Sequence, residues 1–418
     1  MTVNRPSTEA QARAAARMST VRRLARFAVL GGLSSFGPLS LDLYLPALPR
    51  VARSLDATDG LTQLTISACL MGLAIGQLAF GPLGDRFGRR WPLLAGVAGW
   101  TLASLLCAAA PNAEVLIALR FVQGAGGAAG LVLARAVIRD LYDAAELTRA
   151  FARVSLLSNV APVVAPIMGG LLLYVIPWRG LFVTLAVIGV VLLAGTAVAL
   201  PESWPQERRR RGGIRSTITA FDELRRDRLF VGSIAVFACS SAMLFIYISL
   251  SSFVLQQQFG FDASAFSAVF AANSVGIVIA GWICVRLLRR RAPAFLLGLG
   301  LMLALLGSVL LCAAVLGRWP VWSVLPPLLL AVGSIGLILP SATGLALLKH
   351  AEAAGAGSAV LGGTQFLMGA VAGPIVSVAG ASAAAMAIGM GVSAVGAVAC
   401  YQLAGIGRTR VGDEQPVG

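Results

Sequence analysis

Gly81-Pro82-Leu83-Gly84-Asp85-Arg86-Phe87-Gly88-Arg89-Arg90 is a short charged stretch set between two long apolar runs, and it decides what kind of molecule this is. Glycine and proline make tight turns, because glycine reaches backbone angles closed to other residues and proline pre-sets its own. One aspartate and three arginines then give the turn a face that cannot enter hydrocarbon. The apolar runs on either side are each about as long as the ~20 residues a helix needs to cross a bilayer. The stretch therefore reads as a polar hairpin between two membrane spans.

Working outward, the same alternation continues along the whole chain. Of its 418 residues, 58% are hydrophobic and only 12% charged, too few polar groups to cover a water-soluble globule of this size. Twelve apolar runs are expected to be spans: 27–48, 61–82, 92–110, 114–136, 150–174, 180–200, 229–255, 264–285, 293–316, 321–347, 355–379 and 382–405. An even number puts both termini on one side. The expected division is a tail over 1–26, a six-helix bundle over 27–200, a polar linker over 201–228, a second bundle over 229–405 and a tail over 406–418.

The formal charge of +15 could point to nucleic acid, but its distribution argues against it. The first tail, the 81–90 turn, the segment from Arg135 to Arg153, the linker with Arg208 to Arg211, and Arg286 to Arg291 all fall on one side. The other side receives only Arg50, Arg53, Arg179 and Arg318. That asymmetry is the positive-inside rule, and it places the arginine-rich side and both termini in the cytoplasm. Partners on that face are lipid phosphates rather than nucleic acid. The six cysteines all fall within the spans and read as small packing residues, and His350, the single histidine, sits at a helix end. No metal site is expected. No cofactor is expected either, and no Gly-x-x-x-x-Gly-Lys-Ser/Thr sequence is present to use ATP.

Two ionisable residues lie inside the spans. Asp42, in Leu41-Asp42-Leu43-Tyr44-Leu45-Pro46-Ala47-Leu48-Pro49, is placed four to seven residues from the outer boundary, ~6–10 Å deep at 1.5 Å per residue. Arg120, in Leu119-Arg120-Phe121-Val122-Gln123-Gly124, lies at a similar depth on the fourth span. Charges in hydrocarbon are expensive and usually functional, and a buried arginine needs an anion, so the two are expected to face one another. The fifth span contains Pro162, Pro166, Gly169 and Gly170: the prolines are expected to bend it and the glycines to admit a close helix crossing. Gly81, Arg86, Arg89 and Arg90 recur 200 residues later as Gly281, Arg286, Arg289 and Arg290, as duplicated halves would have it.

Polar and aromatic residues scattered along the spans are candidates for a mostly apolar cavity with a few hydrogen-bonding points. In the first half these are Tyr44, Gln123 and Asn159. In the second they are Tyr247, Phe253, Asn273, Gln365 and Phe366, accompanied by Ser251, Ser252 and Gln256.

The stretch Gly-x-Leu-x-Asp-Arg-x-Gly-Arg-Arg resembles the signature loop between the second and third helices of major facilitator superfamily transporters. Arg120 and Gln123 resemble that family's helix 4 motif, and Ala161 to Gly170 its antiporter motif, with alanine at 161 and 165 where glycine is usual. The Asp42 segment, Gly336 to Thr343 and Gly357 to Phe366 resemble the Bcr/CflA subfamily of drug/proton antiporters. The resemblance implies an all-α membrane protein of two pseudo-symmetric six-helix bundles. It implies proton coupling at Asp42 and Arg120, and a conformational latch built from Gly81, Gly84, Asp85, Arg86, Gly88, Arg89 and Arg90. It further implies export of small amphipathic drugs such as bicyclomycin, sulfonamides or chloramphenicol across the bacterial inner membrane, by a monomer and in exchange for protons. Burial would favour the neutral acid at Asp42 and the arginine its carboxylate, which is a means of exchange. An importer of a small metabolite and a membrane receptor that does not transport are the competing readings; an enzyme is not expected.

Overall fold

A computed structural model describes residues 23–204, 227–348, 354–378 and 380–406. Among them are eleven helices long and apolar enough to cross a membrane, and a twelfth span formed by a bent pair. We number the spans α1 (Arg23–Ser34 and Phe36–Ser54), α2 (Asp59–Phe87), α3 (Arg90–Ala108), α4 (Ala113–Leu141), α5 (Ala144–Leu172) and α6 (Trp178–Ala199). The second half holds α7 (Arg228–Gln258), α8 (Ala263–Leu287), α9 (Pro293–Leu316), α10 (Val321–Leu347), α11 (Ala354–Ser377) and α12 (Ala383–Leu403). No strand occurs among the described residues. Most of the linker and of both tails, together with Lys349 and His350, lies outside them.

Helix starts follow local chemistry. Thr58, Asn112, Asp143, Asp262 and Ser382 each accept a backbone N–H from three residues along, which satisfies donors a helix leaves open. Gly88 ends α2 with φ of 90°, a left-handed angle that costs other residues energy. α5 is one uninterrupted helix through both Pro162 and Pro166, so the expected distortion is not a break there. α1 is interrupted twice: its pieces Arg23–Ser34 and Phe36–Ser54 meet at 50° at Ser35, and the α-helix is lost again between Asp42 and Leu48.

We call the second of these interruptions the α1 break, and its cause is legible in the chain. Pro46 and Pro49 have no N–H, so the carbonyls of Asp42 and Leu45 lose the donors four residues on that a helix would supply. The segment 45–47 tightens into a single 3-10 turn and the helix resumes to Ser54. α1 therefore extends six residues past its expected end. Asp42 lies twelve residues before Ser54, ~18 Å along the helix path, and so is deeper than the run boundaries implied.

Small residues set the packing within the first half. A methyl group on Gly72, Gly76 or Gly124 would overlap backbone across the α2–α4 seam, and one on Gly126 would sit 2.7 Å from the Trp100 nitrogen of α3. Backbones that approach this closely gain dispersion contacts over their whole length, the main attraction between helices in lipid.

Candidate functional site

The site grows from the α1 break. Asp42 is buried there, on the turn before the backbone loosens. It makes no hydrogen bond or ion pair among the described residues, though its carboxyl is near enough to the Tyr247 hydroxyl of α7 to interact electrostatically. Leu43, the next residue, presents its carbonyl oxygen to Gly169 of α5, where a side chain of any size would overlap it. The adjacent Gly170 faces Ser267 and the Ala263 carbonyl of α8, in the other half. The two glycines of the fifth span thus touch the α1 break on one side and the opposite half on the other.

Arg120 is fully buried in the first half. Its Nη1 donates to Gln123, whose amide in turn donates to Ser104 of α3 at 2.7 Å. The guanidinium lies 5.0 Å from the Tyr44 ring centre and 5.7 Å from that of Phe182, and these ring faces take part of its charge. Nε and Nη2 have no acceptor. Those two donors form the edge that grips a carboxylate with two parallel bonds. The expected pairing with Asp42 is therefore not made in this structure: Arg120 turns instead to Gln123, one helical turn along its own helix, and to the aromatic faces around it.

Some cavity candidates prove to be core. Tyr44 packs tilted against Phe182, ring centres 5.1 Å apart, and shares a 3.3 Å hydrogen bond with Thr65; Gln123 serves Arg120; Phe253 is fully buried. None of the three lines a wall that a ligand could touch here, because ring stacking and amide bonding draw them into the packed interior. Asn273 donates to the Tyr247 hydroxyl at 2.9 Å, and Tyr247 stacks on Phe270. Gln365 and Phe366 are half-buried, and Asn159 is exposed on α5. Thr65, Ser104 and Phe182 were not singled out from sequence; no local pattern distinguishes them from other helix residues.

The charged turn forms one network inside the first half. Arg89 bonds Asp85 at 2.7 Å and Asp140 of α4 at 3.1 Å, and lies 4.7 Å from the Trp204 ring centre. Its backbone N–H and that of Arg90 both donate to Glu202 beyond α6, and the Arg90 side chain reaches the Ala197 carbonyl. Gly84 leaves room for the Arg89 guanidinium, which would lie 3.0 Å from any Cβ there. The expected turn over 81–90 shrinks to Gly88 and Arg89, because α2 stays helical through Pro82 to Phe87; Asp85, on its last turn, pairs with Arg89 rather than with a facing helix, Arg86 lies over Phe87, and nothing lies within 4 Å of a Cβ at Gly81. Arg135 and Arg139 of α4 are exposed and take no part in the network among the described residues.

Among the described residues, the side-chain hydrogen bonds that join the two halves lie at the other end of the molecule. Tyr174 donates to Asp262 and Ser264; Gln257 to Asp59; Ser252 to the Leu45 carbonyl; Gln256 to the Pro46 carbonyl. Asp262 lies outside the spans, and its carboxyl is held below the usual carboxylate range, first by the Ala265 N–H and then by Ser264.

With two helical halves and this polar turn in place, the comparison with known proteins is direct: the sequence profile of the Major Facilitator Superfamily matches residues 30–374. The chain belongs to that superfamily. It is a multi-pass membrane transporter and not an enzyme. It is 36% identical over 393 residues to the uncharacterized MFS-type transporter YdgK of Bacillus subtilis, covering 93% of this chain and 97% of that one. It is 29% identical over 373 residues to a bicyclomycin resistance protein homolog of Haemophilus influenzae, with 89% and 94% covered. Among solved structures, the bacterial homolog of the human lysosomal transporter Spinster superposes with a TM-score of 0.71 at 17% identity, over 95% of this chain and 99% of that one.

Proposed function

We propose that this transporter exports small amphipathic, drug-like compounds from a bacterial cell in exchange for protons. The observation that carries the reading is a buried acid without a partner at the α1 break, in the same half as a buried arginine whose carboxylate-gripping edge has no acceptor. Two such groups held apart in one state are costly, and each lowers the other's cost when they meet. Asp42 takes up a proton while separated from Arg120; movement of the carboxyl onto the free Nε/Nη2 edge expels it. The apolar spans around them leave room for few hydrogen bonds, which suits an amphipathic passenger. Similarity to the bicyclomycin resistance homolog supports a drug as that passenger.

Charge asymmetry assigns the arginine-rich end to the cytoplasm, so the bonded end faces outward and the state described is sealed on the outside. The protein acts as a monomer in the inner membrane, with both termini cytoplasmic and lipid phosphates meeting exposed arginines such as Arg86.

The test is efflux of chloramphenicol or bicyclomycin from proteoliposomes under a pH gradient, with Asp42→Asn and Arg120→Met beside the unsubstituted protein. Both variants should remain folded and lose efflux driven by the gradient. Arg120→Met should unfold no earlier on heating, because it removes a buried charge that has no counter-ion. Full gradient-driven efflux by Asp42→Asn refutes proton coupling at this residue.

A further inference from the structure

Ser252 and Gln256 were candidates for a ligand cavity, yet both spend their donors on the backbone of the opposite half. The Ser252 hydroxyl donates to the Leu45 carbonyl at 2.6 Å, and the Gln256 amide donates to the Pro46 carbonyl at 3.1 Å and to the Ser252 oxygen at 2.9 Å. The Leu45 carbonyl is the one whose helical donor would have come from residue 49, a proline. The Leu48 N–H of the 3-10 turn reaches that carbonyl instead, and a side chain from α7 gives it a second donor, three residues beyond Asp42. Within its own half the same break rests on Gly169 through Leu43.

From this arrangement we infer that Ser252 and Gln256 are positioning residues, a clamp that grips the α1 break only while the far ends of the halves are together and so sets how readily the side of Asp42 they cover is opened. When the halves part there, the Leu45 and Pro46 carbonyls lose the donors that α7 supplies, and water takes their place. The clamp therefore favours the closed far end by the difference between bonded and hydrated carbonyls. A neutral hydrogen bond is worth about a fivefold change in such a ratio. Neighbouring Ser251 has a buried hydroxyl with no partner, which makes it an internal comparison of the same chemistry one residue away.

The inference rests on the transporter reading above, and its test does not use transport. In the full chain in lipid nanodiscs, spin labels attached through encoded azide residues at positions 54 and 322, both exposed at the far end, report the distance between the halves. Ser252→Ala should raise the ratio of long to short distances about fivefold, and Gln256→Glu, which removes two donor bonds without changing shape, by at least as much. Ser251→Ala should leave it unchanged. Unaltered populations in both clamp variants overturn the inference, as does an equal shift from Ser251→Ala. Gln256 is half-exposed, so its variant tests the clamp even if the buried serine variant fails to fold. A clamp shift combined with gradient-driven efflux in Asp42→Asn refutes proton coupling and leaves the clamp standing; the reverse pair of results refutes the clamp alone.

Discussion

Replacing Gly169 by alanine should damage this protein more than its one added methyl would elsewhere. A Cβ at 169 overlaps the Leu43 carbonyl oxygen and lies 3.0 Å from its carbonyl carbon and 3.4 Å from its Cα. All three atoms are backbone, so no side chain can swing aside, and restoring ordinary contact at about 3.5 Å takes a displacement of well over ~1 Å. Overpacking of this kind costs about 1–3 kcal/mol. For a half of this size that is on the order of 2–10 °C in the unfolding temperature. The displaced atoms adjoin Asp42, so gradient-driven efflux should fall with stability. Gly99→Ala is the matched comparison: nothing lies within 4 Å of a Cβ at 99, and a helix interior gains about 0.5–1 kcal/mol from the exchange. Thermal unfolding followed by tryptophan fluorescence in detergent, with efflux on the same preparations, reads both. If Gly169→Ala unfolds at or above the temperature of Gly99→Ala, the close approach of α5 to the α1 break is wrong.

Two further outcomes follow from the polar ends. Arg89→Ala strips the nearly buried Asp140 of its ion-pair partner, and breaking such a pair costs about 3–5 kcal/mol, whereas Arg86→Ala, which has no ion pair, should cost under about 0.5 kcal/mol; unfolding temperatures that fail to separate the two refute the network. The Asp262 carboxylate is stabilised by its bonds, so its contribution is present above the ordinary carboxylate range and is lost only as pH falls through its depressed folded value. The far-end distance should then stay short through the pH range where free carboxylates protonate, and opening at that pH would contradict the cap geometry.

How much was legible in advance differs from residue to residue. Asp85, Arg89 and Arg90 announced a polar connection between two spans because charges cannot enter lipid, a local rule, whereas the tight turn expected over 81–90 is confined to Gly88 and Arg89, with Pro82 inside α2. That Arg89 would bond Asp140 while Arg135 and Arg139 stood aside depended on how α4 is rotated against α2, which nothing near Arg89 records. Asp42 and Arg120 were conspicuous as ionisable residues within apolar runs. Their separation was not, because Tyr44, Phe182 and, through Gln123, Ser104 come to Arg120 from three other helices.

The amino-acid order alone determined the spans, their alternation with polar turns, and the break in α1, since hydrocarbon thickness, charge exclusion and the missing N–H of Pro46 and Pro49 act within a few residues of themselves. Only the tertiary structure decided who fills what those rules leave open. The Leu45 carbonyl, denied a donor from residue 49, takes the Leu48 N–H by local geometry, but that its second donor is Ser252, 207 residues away, depends on how two whole bundles meet, and that meeting changes as the halves move.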